Sequence, residues 1–180
     1  MFDLDGFIAE LRAALNERSR QAMKEVVARA VSDPAALTRA LGEPDKAAVG
    51  VLHRSPELTV LNVVWRAGQI TLPHNHLLAA AIGMYGGRED NIFWRRIDHP
   101  RGFEIQAAGG EALGTCDVTL LGRDIIHSVI NPLPRLSGAI HVYDGDFFAK
   151  ARSMWDPETL REEPYDLAGV AAGMPIGAAN

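Results

Sequence analysis

His74 and His76 are separated by a single residue. In an extended strand, side chains at i and i+2 leave the same face, so one short strand aims two imidazoles at one point. A third imidazole, His127, stands in a later strand-like run, Asp124 to Ile130, as a neighbouring strand of a closed sheet requires. Two close ligands and one distant one commonly build a metal site, and imidazole suits iron, zinc, copper and nickel. The bland alternative is three hydrogen-bonded core or surface histidines. His53 and His99 read as ordinary, His99 lying in an Asp-His-Pro-Arg-Gly turn. Cys116 is expected to be a small buried thiol rather than a nucleophile, because no positive neighbour stands near it to lower its pKa. Trp65 and Trp94 read as barrel filling.

Positioning these side chains takes strands, and the sequence from Leu58 onward has their texture. Short Val, Leu, Ile and aromatic runs cover Leu58 to Trp65, Ala79 to Tyr85, Asn91 to Ile97, Phe103 to Gln106, Asp117 to Leu121, Asp124 to Ile130 and Ser137 to Tyr143. Turn chemistry at Gly86-Gly87, His99 to Gly102, Gly109-Gly110 and Asn131 to Pro134 separates them. Closely spaced strands of this kind predict a sandwich or barrel. Before them, Leu4, Phe7, Ile8, Leu11 and Leu15 form a helical stripe, repeated by Met23, Val26, Val27 and Ala30. Ser32 and Asp33 before Pro34, with Gly42 as a stop, predict a short third helix. Asp156 before Pro157 predicts a short C-terminal helix closed by Pro164, followed by a weakly patterned, partly mobile tail from Leu167 to Asn180. The expected organisation is a helical segment over 1–45, a barrel over 46–150 and a helix and tail over 151–180, in one domain overall.

The 180 residues are 47% apolar and 23% charged, the profile of one ordinary globular domain with room for a real core. The single cysteine excludes an internal disulfide framework. The net charge of -5 argues against general nucleic-acid binding, and no apolar run approaches the ~20 residues that span a bilayer. The acidic opening Met1 to Asp5 lacks the basic character of a secretory or mitochondrial leader. A cytoplasmic setting and a small-molecule task are expected. Oligomeric state is left open.

Gly68, five residues, then His74-Asn75-His76 resembles the opening half of the first cupin motif. Gly122-Arg123-Asp124, two residues, His127, three residues and Asn131 resembles the second. The resemblance implies a mainly β cupin double-stranded β-helix, a jelly-roll barrel with N-terminal helices outside and a short C-terminal helix. Its histidines would aim into the barrel. The glutamate usual after the histidine pair is Ala80 or Ala81 here, and Gly122 and Asp124 replace a proline and a glycine. Three histidines without a carboxylate resemble the cysteine dioxygenase or thiol dioxygenase branch of that superfamily. Ala139-Ile140-His141-Val142-Tyr143 is similar to its Ser-x-His-x-Tyr segment, with Ala139 in place of the serine.

That resemblance implies Fe(II) on His74, His76 and His127, with zinc or nickel possible in a purified sample. It also implies a small carboxylate-bearing thiol and O2 as reactants and a sulfinate as product. Tyr143 would donate toward the oxygen species while His141 orients it. An arginine would hold the substrate carboxylate through a planar two-point contact; Arg54 is the counterpart by position, with Arg66, Arg88, Arg95 and Arg96 as alternatives. The cysteine that some members crosslink to the inward tyrosine falls at Ala81, so no thioether cofactor can form. The alternatives are a non-catalytic metal- or ligand-binding cupin, or a cupin metalloenzyme acting on a non-thiol substrate.

Overall fold

Side-chain caps start each of the three helices in this computed structural model, which describes residues 2–99, 102–156, 158–166 and 176–178. Asp3 accepts from the backbone N–H of Asp5 at the start of α1 (Leu4–Asn16), and Ser19 accepts from that of Ala22 at the start of α2 (Arg20–Val31). Asp33 accepts from Ala36 N–H at the start of α3 (Pro34–Leu41), whose proline sits in the first turn and whose stop is Gly42 at φ 86°. Phe7, Ile8 and Leu11 of α1 and Met23, Val26 and Val27 of α2 are buried, as their helical spacing predicts, while Leu4, Leu15 and Ala30 are partly buried and Val31 joins the buried face.

The strands in chain order are β1 (Ala48–Arg54), β2 (Thr59–Trp65), β3 (His74–Asn75), β4 (Ala80–Gly86), β5 (Arg88–His99), β6 (Gly102–Gly114), β7 (Val118–Leu121), β8 (Ile126–Ile130), β9 (Ser137–Tyr143), β10 (Ser153–Trp155), β11 (Glu162–Pro164) and β12 (Ile176–Ala178). They form two six-stranded sheets, ordered β12-β1-β2-β9-β4-β7 and β11-β10-β3-β8-β5-β6. All pairings are antiparallel except β1 with β12. The chain crosses between sheets from β2 to β3 to β4 to β5 and returns from β6 to β7 to β8 to β9. The blocks β2-β9-β4-β7 and β3-β8-β5-β6 are therefore the two halves of a jelly roll, a double-stranded β-helix.

Period-two alternation gives the first sheet two buried faces. Leu61, Val63 and Trp65 of β2, Ala80, Ile82 and Met84 of β4, and Ala139 and Tyr143 of β9 enter the barrel core. Val60, Ala81, Tyr85, Ile140 and Val142, from the same strands, pack on the three helices. Gly83 marks the closest approach of α2 to β4: a Cβ there would stand 2.5 Å from Val27 Cγ1.

Four expectations change. No C-terminal helix forms among the described residues; Asp156 does accept from Glu158 and Thr159 N–H, but the turn ends at Leu160 with φ 54° and the chain returns as β11 against β10. The Gly109-Gly110 pair is not a connector but lies inside β6, where Gly109 at φ 129° takes up a bulge opposite Phe93 and Trp94. Cys116 is exposed rather than buried, in the turn between β6 and β7 at φ 74°. The strands β1 and β3 lay outside the predicted runs; β3 has only two residues and carries no pattern to detect. The proposed tail, apart from the backbone of β12, lies outside the described residues, as do Pro100 and Arg101 of the His99 to Gly102 turn.

Candidate metal centre

Strand pairing brings the three histidines together. His74 of β3 lies directly opposite His127 of β8, and His76 follows two residues on, so all three rings meet on the inner side of the second sheet. Ring centroids stand 4.6 Å apart for His74 and His127, 4.8 Å for His76 and His127, and 5.1 Å for His74 and His76. The Nε2 atom of His76 lies 3.2 Å from Nε2 of His74 and 3.2 Å from Nε2 of His127.

The hydrogens on two rings follow from their partners. Nδ1 of His74 faces the carbonyl oxygen of Leu72 at 2.8 Å, and a carbonyl only accepts, so Nδ1 carries the hydrogen. Nδ1 of His127 faces Oδ1 of Asn91 at 2.6 Å, and the amide orientation of Asn91 is set by Nδ2 donating to Glu89 Oε1 at 3.1 Å. Both rings therefore turn the lone pair of Nε2 toward His76. Lone pairs gathered at this distance in a dry interior repel unless a cation lies among them. Metal–nitrogen bonds of ~2.0–2.1 Å give N···N edges of ~3.3 Å in a tetrahedron and ~2.9 Å in an octahedron. The 3.2 Å separations fall within that range, so the donor set fits a divalent ion. Among the described residues, no acid or cysteine joins the three histidines as a possible ligand.

The electrostatics agree. Burial lowers the pKa of His74 to about 4, with Arg152 adding to the effect against a raising bond to Leu72. Burial, then the neighbouring imidazoles, hold His76 and His127 well below 6.5. All three are neutral at pH 7 and ready to ligate.

A cavity of about 40 Å³, room for a few waters or a small organic group, adjoins the triad. Its other lining residues include Leu61, Val63, Trp65, His141, Tyr143, Phe147 and Tyr165. Tyr143 stands edge-on to His76 at 5.0 Å between centroids, and its hydroxyl lies 3.1 Å from Nδ1 of His141. Burial raises the phenol pKa of Tyr143 far above its ordinary value, so it is a neutral hydroxyl. The structure thus gathers His74, His76, His127, His141 and Tyr143 around one space.

Arg54 is not part of it. Its guanidinium is held by Asp146 through contacts of 3.0 and 3.1 Å and lies over the ring of Phe148, half exposed. Arg88 pairs with Asp90, Arg95 with Gln106 and Arg96 with Glu162, and neither they nor Arg66 line the cavity. Arg152 does not line the cavity either, but it stands directly behind two residues that do, at 9% exposure, between the rings of Tyr165 and Phe147 at 3.8 and 4.0 Å. One guanidinium nitrogen donates to the carbonyl oxygen of Phe147, while Nε has no partner. Its positive charge reaches His74, His76 and Tyr143. Arg152 stands just before β10, after Phe148 and ahead of the expected helix start at Asp156, where the sequence carries no strand pattern to mark it as inward.

Sequence reading also missed Glu89, which is fully buried on the inner face of β5. Trp65 Nε1 donates to its Oε2 at 2.7 Å, and Nε2 of His141 stands 3.4 Å from the same oxygen. Burial opposes ionisation of Glu89, but interactions with His141, Trp65 and Asn91 together outweigh it and hold the carboxyl below its ordinary value. The signal was present in the alternation of Arg88, Glu89, Asp90 and Asn91, where the even positions face outward.

No family model matches the sequence, and no curated protein matches it. Solved structures do. A double-stranded β-helix protein from Klebsiella pneumoniae aligns over 65% of this chain and 87% of its own, with 12% identity and TM-score 0.48. An RmlC-like cupin family protein from Methanocaldococcus jannaschii aligns over 59% and 87%, with 8% identity and TM-score 0.46. An oxalate decarboxylase variant from Bacillus subtilis aligns over 53% of this chain and 23% of its own length, with 21% identity and TM-score 0.41. The structural neighbours are thus cupin proteins, and the strand order described above makes this chain a double-stranded β-helix with a possible three-histidine metal site. No helix among the described residues is long and apolar enough to cross a membrane.

Proposed function

We propose that the chain is an Fe(II)-dependent, thiol dioxygenase-like enzyme that oxidises a small carboxylate-bearing thiol to a sulfinate with O2. The observation that carries this reading is the donor set: three neutral, converging imidazoles with no acid among them, beside an inward His141–Tyr143 pair and a buried arginine. Neutral ligands leave a divalent ion its full charge for anionic substrate atoms. Bound there, Fe(II) would supply redox chemistry toward O2 and favour the deprotonated thiol.

The chain's own residues would do the rest. Arg152, rather than Arg54, offers its guanidinium to the substrate carboxylate, and its unpartnered Nε is a donor awaiting an acceptor. Its stacking between Tyr165 and Phe147 fixes the distance from carboxylate to triad. Tyr143 sets its ring edge-on to His76 with its hydroxyl against His141, and Val63, Leu61 and Phe147 keep bulk water out. A cytoplasmic setting, in which small thiols stay reduced, belongs to this reading.

The test is anaerobic loading with Fe(II), then oxygen uptake with cysteine, 3-mercaptopropionate, mercaptosuccinate and cysteamine. At least one carboxylate-bearing thiol is expected to drive uptake with sulfinate formation, and cysteamine, which has no carboxylate, is expected to be poor. No thiol-dependent uptake by fully metallated protein rejects the assignment. Zinc as the metal retained on purification would shift weight to a site without oxygen chemistry.

A further inference from the structure

His141 poses a problem in hydrogen placement: its Nδ1 meets the Tyr143 hydroxyl at 3.1 Å, yet its buried Nε2 has no hydrogen-bond partner and faces only Glu89 Oε2 at 3.4 Å. Position 139, two residues before His141 on the same face of β9, is an alanine and supplies nothing to Nε2. The carboxylate comes instead from across the barrel, on β5. Glu89 is buried completely and already receives Trp65 Nε1–H and Asn91 Nδ2–H, so it is held as an acceptor on both oxygens. Its lowered pKa is consistent with that role.

We infer that Glu89 is a positioning residue that keeps the His141 hydrogen on Nε2 and thereby turns the Tyr143 hydroxyl hydrogen away from the cavity. An acceptor-only carboxylate oxygen and a bare imidazole lone pair repel at 3.4 Å in a low-dielectric interior, so Nε2 is the N–H. In a neutral imidazole the other nitrogen is then an acceptor, and Nδ1 takes the phenol hydrogen. A phenol has one hydrogen. With it committed to His141, Tyr143 offers the cavity a lone pair, so a ligand reaching it meets an acceptor and must bring its own donor: an ammonium or a hydroxyl. This reverses the donor role expected for Tyr143 from the sequence resemblance. Only the ligand clause rests on the proposed function; the hydrogen placement stands or falls without it.

The experiment is nitrogen-15 NMR of the histidine rings in the zinc-saturated full chain near neutral pH, with His141 assigned by its loss in His141→Asn. The expected spectrum has a protonated, pyrrole-type Nε2 and an unprotonated, pyridine-type Nδ1. A protonated Nδ1, whether alone or together with Nε2, overturns the inference. In Glu89→Leu nothing accepts opposite Nε2, and part of the hydrogen is expected to appear on Nδ1; an unchanged pattern removes Glu89 from the role. Tyr143→Phe gives a second check should Glu89→Leu fail to fold. The hydrogen is expected to stay on Nε2 without the phenol, and its transfer to Nδ1 would show that tyrosine, not glutamate, sets it. Thiol oxidation is not part of this measurement, so its failure and that of the proposed reaction are separable.

Discussion

Replacing Asn91 with alanine is expected to weaken zinc binding ~10–100-fold, or ~1.4–2.8 kcal/mol, though Asn91 would not touch the metal. Its Oδ1 accepts the Nδ1 hydrogen of His127 at 2.6 Å inside a fully buried contact. Without that acceptor the ring can turn, or its hydrogen can move to Nε2 and occupy the lone pair that metal requires. Nδ2 also donates to Glu89 at 3.1 Å, so the variant loses a second buried bond and ~1–3 kcal/mol of metal-free stability. Asn62→Ala separates the two effects: its Oδ1 accepts from the Tyr85 hydroxyl at 2.8 Å on the helix-facing side, away from the triad. It should lower stability and leave zinc affinity alone. Competition against a chromophoric zinc chelator gives both affinities, with denaturant titrations in parallel. If folded Asn91→Ala binds zinc as tightly as the parent, the argument that this hydrogen bond sets the ligand tautomer is wrong.

The metal-free chain should lose stability as pH falls from about 6.5 toward about 4. His74, His76 and His127 have folded pKa values below that of an unfolded histidine, so the unfolded chain binds more protons across this window. Urea midpoints that stay level between about pH 7.5 and about pH 5 would contradict the burial argument. Arg152→Gln should raise KM for a carboxylate-bearing thiol at least ~10-fold, while Arg54→Gln, which breaks a half-exposed ion pair worth ~0–1 kcal/mol, should leave kinetics unchanged. Equal effects of the two variants in steady-state oxygen uptake would refute the assignment of Arg152. Gly83→Ala should destabilise the fold by ~1–3 kcal/mol, since the new methyl meets stiff Val27 and Val31 side chains at 2.5 and 2.9 Å. Thermal melting checks this, and an unchanged Tm would mean that α2 sits farther from β4.

The triad was legible because its information is local: i and i+2 on a strand share a face, and a third histidine in another strand-like run can only be inward or outward. The helices were legible for the same reason, with period and caps agreeing at Asp3, Ser19 and Asp33. Arg152 was not, because its place depends on how the chain leaves β9 and on two aromatic rings, Phe147 and Tyr165, that sequence spacing does not bring together. Glu89 was hidden differently. A charged residue reads as a solvated face unless its donors are known, and two of these, Trp65 and His141, arrive from strands distant in the chain. Arg54 shows the converse: an arginine in the expected stretch found a partly buried carboxylate, Asp146, nearer than the cavity.

The two-sided burial of the first sheet divides the cavity between parts of unlike persistence. His141 and Tyr143 ride on β9, where every residue is buried, between the barrel interior and the helix layer. Amide exchange there should require opening of the whole molecule. Tyr165 follows the exposed, three-residue β11, and Arg152 precedes the equally short β10. With so few sheet bonds to break, the amides of that segment should exchange well before those of β9, which makes it the side on which a molecule would enter or leave while the imidazole–phenol side stays in register.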